Sequence, residues 1–173
     1  MDNKRSRCRQ LRRGATYHVI CKINRDEIIF TNVIIINLLY VIIQRCKKKY
    51  AFNMITFNIM GNHLHFMIKP KKGASLPRIM QWINSVFAKT YNKKMGISGR
   101  LWKERYFSVI IKTRKQFERT FEYIVKNPVA AKLVKHARDY QYSGLYHFLH
   151  QIEGIIDVRG RFLLDLYERC RYF

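Results

Sequence analysis

The spacing of hydrophobic residues along the chain predicts four strands and four helices. Short segments rich in β-branched and aromatic residues are typical of strands, whereas longer segments with apolar positions three or four apart are typical of helices. The predicted strands cover residues 15–23, 50–60, 63–69 and 106–112. The predicted helices cover residues 32–48, 75–94, 113–126 and 129–136. Beyond them we expect a loop and one or two short helices.

Local signals predict where several of these helices begin and end. Ser75 and Thr113 precede two of them and are favoured N-cap residues. Asn127 and Pro128 form a favoured pair for starting a helix, because Asn is a good cap and Pro suits the first helical position. The sequence therefore predicts that one helix ends at Lys126 and that a separate short helix begins at Val129.

The order strand, helix, strand, strand, helix, strand, helix is that of ferredoxin-like and RRM-like domains. These α+β domains have an antiparallel sheet with helices packed on it. We assign residues 1–14 to a basic N-terminal arm, 15–150 to the folded domain and 151–173 to a C-terminal helical tail. The helix predicted over 32–48 is apolar on nearly all sides, so it must be covered on more than one side, and part of it is a candidate homodimer interface.

The charge of the chain indicates a polyanionic partner. It contains 34 Lys and Arg against 11 Asp and Glu, a formal net charge of +23. Its 11 Phe and 11 Tyr supply surfaces on which unpaired bases can stack. Arg12 and Arg13 close the basic arm and are candidate phosphate contacts. Composition alone leaves DNA, RNA and membrane surfaces open, as well as a basic surface that serves only solubility.

Other features favour a cytoplasmic, nucleoid-associated protein that does not bind membranes. The four cysteines show no paired or zinc-finger spacing, so we expect reduced thiols. The basic N-terminus is not followed by the apolar core of a signal peptide. The most apolar segment, 33–43, is interrupted by Asn37 and is shorter than the ~20 residues of a membrane-spanning helix.

Two histidines are the first candidates for chemistry. His63 and His65 are two residues apart on a predicted strand, so their rings project from the same face, whereas Leu64, Phe66 and Ile68 point into the core. Such a pair can chelate a metal ion. Alone it is a weak signal, because two surface histidines on a half-exposed strand give the same pattern.

Four segments in order carry a stronger signal, and they cover most of the chain. They are 17–25, 60–68 around the two histidines, 99–106 and 123–131. Together they resemble the motifs of single-strand HUH tyrosine transposases, and most closely those of REP-associated tyrosine transposases. The chain departs from the family at Gly61, where proline is usual. It also departs at residues 32–36, where Asn32 and four apolar residues replace the usual charges.

This resemblance implies the HUH nuclease fold for residues 15–150 and a role for each matching residue. Tyr123 would be the nucleophile that forms a 5′-phosphotyrosine with single-stranded DNA, whose ends carry hairpins. His63 and His65 would bind a divalent cation, Mg²⁺ or Mn²⁺, although imidazoles alone favour zinc or nickel. Asn127 lies one helical turn after Tyr123 and could complete the ligand set; alternatively it only caps the helix after it.

A basic and aromatic segment follows the second predicted helix. Its candidate DNA-binding residues are Arg100, Trp102, Lys103 and Arg105. Trp102 could equally belong to the core.

Two other functions compete with the transposase. The first is a catalytically idle protein of this family that binds or regulates DNA hairpins. The second is an RNA-binding module with an RRM-like fold, which would require an RNP aromatic pattern that the sequence lacks.

Overall fold

The computed structural model describes residues 11–173 and contains four strands and five α-helices there. The strands are β1 (Thr16–Lys22), β2 (Phe52–Ile59), β3 (His63–Pro70) and β4 (Phe107–Ile111). The helices are α1 (Val33–Lys49), α2 (Leu76–Met95), α3 (Arg114–Ala130), α4 (Gly144–Leu149) and α5 (Arg161–Cys170). All paired strands are antiparallel, in the order β2-β3-β1-β4. The predicted ferredoxin-like α+β fold is confirmed.

One face of the sheet packs against α1 and α2 and forms the larger core. Because strand residues alternate between faces, Tyr17, Val19 and Cys21 of β1 are all buried here. Leu64 and Phe66 of β3 join them, as predicted from the histidine motif. Leu64, between the two histidines, and Phe66, after them, therefore hold β3 in position from the opposite face.

The outer side of α1 is less completely covered than its sequence predicts. Val33, Ile34 and Val41 are each at least half exposed. This apolar strip is the surface on which the homodimer contact is expected, and that contact stays a prediction. Within residues 11–173, no helix combines the length and the hydropathy needed to cross a bilayer. Three of the cysteines are buried thiols, and Cys8 lies outside the described residues.

The second face of the sheet is only partly covered. Met67 of β3 and Ile111 of β4 pack with α3, α4 and α5 in a second core. Nearer the other edge, four side chains of β1 and β4 share this face and are half-buried or exposed, and we call them the open sheet face. They are His18, Ile20, Phe107 and Val109. The helices thus leave a strip of sheet accessible beside α3.

Helix α3 contradicts the predicted break at Asn127 and Pro128. It runs without interruption to Ala130, with Pro128 inside its last turn and Lys132 in a left-handed conformation soon after its end. Pro128 has no N–H to donate to the carbonyl of Ile124. Asn58 of β2 donates its side-chain amide to that carbonyl instead. The helix continues because a neighbouring strand satisfies the group that proline leaves unpaired, and Asn127 is consequently not a helix N-cap.

The C-terminal residues cover the outer edge of β2. The side-chain carboxylate of Asp157 accepts from the backbone N–H of Met54 at 2.9 Å, and the backbone N–H of Asp157 donates to the carbonyl of Met54 at 2.8 Å. The hydroxyl of Tyr167 donates to the carbonyl of Ile55 at 2.6 Å. An uncovered edge strand would expose unpaired backbone groups. Residues of the predicted tail therefore pack on the sheet, while β4 forms the opposite edge.

Candidate active site

The two predicted metal ligands lie side by side on β3. His63 and His65 project from the same face, and their ring centroids are 5.0 Å apart. His65 is only 3% exposed, whereas His63 is half-buried. The predicted geometry of the pair is therefore present, but the site is less open than the sequence indicates, because a third histidine covers His65.

That third histidine is His18 of β1, to which the sequence analysis assigned no role. Its Nε2 lies 2.9 Å from Nδ1 of His65, and the two rings stack with centroids 5.2 Å apart. In the pairing of β1 with β3, His18 lies opposite Met67 and Ile20 lies opposite His65. His18 and His65 are therefore diagonal neighbours on the same face of the sheet. Alternation along β1 could have placed His18 on one face, but only the register between strands brings it to His65.

A neighbouring side chain orients His63. The Nδ1 atom of His63 lies 2.8 Å from Oδ1 of Asn62, which can only accept a hydrogen bond. His63 must therefore carry its proton on Nδ1 and keep the lone pair on Nε2. Ligating histidines in metal sites are usually held in this way by an acceptor behind the ring.

Burial keeps all three histidines neutral at physiological pH. It lowers the pKa of His65 to about 3, with smaller contributions from His18, His63 and Lys22. It lowers the pKa of His18 to about 4. It also lowers the pKa of His63, which Lys22 depresses further. Neutral imidazoles retain the lone pairs that a cation requires.

Tyr123 of α3 stands over the histidine cluster. Its ring centroid is 5.8 Å from that of His65 and 5.9 Å from that of His18, and both contacts are edge-on. The residue is 53% exposed. The predicted nucleophile and the predicted ligands thus meet, although they lie on different elements, and the phenol is accessible to a macromolecular substrate.

Asn127 lies on α3, one helical turn after Tyr123. Its Nδ2 donates to the backbone carbonyl of Tyr123 at 2.9 Å, which leaves Oδ1 as the atom able to bind a cation. Among the described residues, Oδ1 accepts no hydrogen bond. No three His, Cys, Asp or Glu side chains between residues 11 and 173 converge as metal ligands.

The predicted DNA-binding residues lie at two ends of the sheet. Arg100, Lys103 and Arg105 are exposed near the end of β1, where Ile23 pairs with Trp102, and Lys103 forms an exposed ion pair with Asp26 at 3.2 Å. Arg12 and Arg13 are exposed at the start of β1, which pairs with Ile111 just before α3.

Trp102 is not on the surface. It is 9% exposed, packs against Phe87 with ring centroids 5.7 Å apart, and donates its indole N–H to the carbonyl of Asn84 at 2.9 Å. Its assignment as a base-stacking residue is therefore corrected to the alternative, a residue of the core. An indole with both its ring and its N–H engaged is not available to a base.

One solved structure has a fold similar to that of this chain, and a second aligns less well. The fold is similar to the solved structure of a REP-associated tyrosine transposase bound to a REP hairpin, with a TM-score of 0.70 and 18% sequence identity over 92% of this chain and 93% of that chain. A structure of a candidate transposase from Deinococcus radiodurans R1 aligns with a TM-score of 0.47 and 14% identity, over 71% of this chain and 97% of that chain. No curated protein matches the sequence at a significant level.

The family described as "Transposase IS200 like" matches residues 12–127, well over half of the chain. The matched residues include His18, His63, His65 and Tyr123 and end at Asn127. The resemblance inferred from the four sequence motifs is thereby confirmed. The chain belongs to the IS200-like transposase family.

Proposed function

We propose that this protein is a metal-dependent transposase that cuts and rejoins single-stranded DNA through Tyr123. The observation that carries the proposal is the position of an exposed tyrosine ring 5.8 Å from His65, which lies beside His63 on the same strand face. A nucleophile next to neutral imidazoles, on a strongly basic protein, suits attack on a phosphodiester.

In this reaction Tyr123 is the only side chain that forms a covalent bond with the DNA. The Oη atom of Tyr123 attacks the scissile phosphorus, the bond from phosphorus to the 3′-oxygen breaks, and that oxygen leaves as a free 3′-hydroxyl. The phenol gives up its proton to solvent and the 3′-oxygen gains one. A second 3′-hydroxyl can then attack the 5′-phosphotyrosine and release Tyr123, so rejoining needs no external energy.

His63, His65 and Asn127 would hold the cation that such a reaction needs. When bound, a divalent cation would polarise the phosphate and offset the charge that develops on its oxygens. The hydrogen bond from His63 to Asn62 supports this assignment, because it leaves Nε2 of His63 available as a ligand. The contact between His18 and Nδ1 of His65 leaves Nε2 of His65 available when Nδ1 carries the proton. Mg²⁺ and Mn²⁺ are the cations that the family resemblance implies.

DNA with hairpin ends is the proposed substrate. The REP-associated transposase of similar fold was solved with a REP hairpin. The net charge of +23 supports a nucleic-acid partner and a nucleoid-associated location. Exposed Arg100, Lys103, Arg105, Arg12 and Arg13 are the proposed phosphate contacts.

A covalent adduct tests the proposal directly. Wild type, Tyr123→Phe and Tyr172→Phe are incubated with labelled single-stranded DNA carrying hairpin ends, with Mn²⁺ or Mg²⁺ or with EDTA. Tyr172 is 78% exposed, and within residues 11–173 its ring does not contact the histidine cluster, so its variant is the matched control. We expect a cation-dependent adduct in wild type and Tyr172→Phe only.

Two other results would reject parts of this proposal. An adduct in Tyr123→Phe would identify another nucleophile. Hairpin binding without an adduct in any of the three proteins would favour the catalytically idle DNA-binding protein.

A further inference from the structure

A groove lies between α3 and the open sheet face, directly beside Tyr123. It encloses about 300 Å³ and is lined by His18 and by six residues of the segment from Thr113 to Tyr123. Within the described part of the chain, neither Asp nor Glu lines it.

The groove carries two positive charges on the same helix face as Tyr123. Lys115, Arg119 and Tyr123 follow one another at intervals of four residues, so they form one row on α3. Lys115 and Arg119 are exposed, and neither forms an ion pair within residues 11–173. Their neighbour Arg114 differs, because it pairs with Glu118 at 3.2 Å. Uncompensated cations beside a proposed nucleophile for phosphate favour an anionic ligand.

The sheet beside the groove offers an apolar surface to that ligand. Phe107 is 56% exposed and Val109 is 39% exposed, and both belong to the edge strand β4. Val109 faces His18 across the β1–β4 ladder, which places it next to the groove. Phe107 lies one alternate position further along β4, opposite Ile20, on the same sheet face but outside the lining of the groove. An unpaired base can stack on an exposed aromatic ring, whereas a paired base within a duplex presents only its edges.

We infer that this groove binds the unpaired DNA strand next to the phosphate that Tyr123 attacks, with Lys115 and Arg119 on its phosphates and Phe107 stacked on a base. The inference rests on the proposed function and names the part of the substrate that this surface holds. Phosphate contacts and stacking carry little sequence information. The groove therefore orients the strand for attack without selecting its sequence.

Binding without catalysis tests this inference separately from the transposase chemistry. Fluorescence anisotropy in EDTA measures the affinity for a labelled oligothymidylate at several salt concentrations. The proteins are wild type, Lys115→Ala/Arg119→Ala, Phe107→Ala and the control Arg114→Ala, which changes a cation on the same helix that is already paired. Circular dichroism establishes that each variant is folded.

The charge and the stacking contributions have different signatures. The double variant should bind about tenfold more weakly, and the slope of log affinity against log salt should fall by about 1.4, since each phosphate contact on a single strand contributes about 0.7. Phe107→Ala should also bind about tenfold more weakly, with the wild-type slope. Arg114→Ala should change the affinity less than about twofold.

Two results would overturn the inference. One is a double variant that keeps the wild-type affinity and slope. The other is a double variant that loses affinity for a blunt DNA duplex as much as for the oligothymidylate, which would reduce the groove to general basic surface. Because binding is measured in EDTA, a failure to form the Tyr123 adduct leaves this result intact, and the reverse also holds.

Discussion

The Nε2 atom of His18 and the Nδ1 atom of His65 lie within hydrogen-bond distance, 2.9 Å, although the residues are 47 positions apart in the chain. A neutral imidazole has one donor nitrogen and one acceptor nitrogen, so a bond to Nδ1 decides what Nε2 can do. When His65 donates from Nδ1, its Nε2 keeps the lone pair. In that tautomer His18 accepts the hydrogen bond and is placed to position His65, a proposed metal ligand.

Replacing His18 should raise the cation concentration that the reaction requires. His18→Phe removes the ring nitrogen and should increase the Mn²⁺ concentration for half-maximal adduct formation by about tenfold or more. His18→Gln keeps an amide able to hydrogen-bond to His65 and should lose less. Adduct yield measured across a Mn²⁺ titration distinguishes the three proteins. An unchanged Mn²⁺ requirement in His18→Phe would show that the contact does not orient His65.

The hydrogen bond from the Asn58 side chain to the Ile124 carbonyl should contribute more to stability when Pro128 is present than when it is replaced. Asn58→Ala leaves a buried carbonyl without a partner, so the free energy of unfolding should fall by about 1–3 kcal/mol. Pro128→Ala restores an N–H that can reach the same carbonyl. In the Pro128→Ala background, Asn58→Ala should cost less. Urea unfolding of the four proteins gives the coupling energy, and strictly additive effects would contradict this account.

Gly144 should be required where α4 meets β2. An added Cβ would lie 2.5 Å from Oγ1 of Thr56 and 3.0 Å from the backbone nitrogen of Phe57. Because a backbone atom cannot move aside cheaply, Gly144→Ala should lower the free energy of unfolding by about 1–3 kcal/mol.

Gly61→Ala is the matched control for that substitution. Its Cβ would meet Cγ2 of Ile28 at 3.1 Å, and Ile28 is an exposed side chain that can rotate away. The expected change is within about 0.5 kcal/mol. Urea denaturation of both variants tests the pair, and a Gly61→Ala variant as unstable as Gly144→Ala would argue against the steric explanation.

His147 should contribute to the loss of stability in acid. It is 4% exposed between the rings of Tyr40 and Phe57, and burial lowers its pKa from 6.5 to about 4. Below pH 6.5 the unfolded chain takes up a proton that the folded protein resists. Stability is therefore fully present above pH 6.5 and falls between pH 6.5 and about 4, by up to about 3 kcal/mol.

Unfolding in urea at pH 7 and at about pH 5 tests this contribution. The other buried histidines titrate in both wild type and His147→Phe, so the difference between the two proteins isolates His147. We expect His147→Phe to lose less stability than wild type on acidification. Equal losses in the two proteins would mean that His147 is not the group responsible.

Much of the fold followed from local pattern. Alternation along residues 63–69 placed His63 and His65 on one face because side chains in a strand repeat every two residues. The cap predicted at Thr113 was found, since its side chain accepts from the N–H of Gln116 in the first turn of α3. Ser75 precedes α2 as predicted, but its side chain makes no capping hydrogen bond. The order of elements then restricted the topology to a ferredoxin-like sheet.

Other features depended on contacts between distant segments. The sequence around Asn127 and Pro128 predicted a helix break, yet α3 continues because Asn58 of another strand supplies the missing donor. Trp102, in a basic and aromatic segment, was predicted to contact DNA but packs against Phe87 in the core. Local composition does not specify which side of such a segment faces the protein.

The sequence by itself therefore determined the order of elements along the chain with its ferredoxin-like class, the shared face of His63 and His65, and the family to which the chain belongs. Only the tertiary structure decided that His18 reaches His65, that Tyr123 lies over both rings, and that Lys115 and Arg119 border a groove beside the open sheet face. The physical reason is the separation along the chain over which each interaction acts. Periodicity and capping act over a few residues, whereas a hydrogen bond across strands depends on the register that the whole packed sheet imposes.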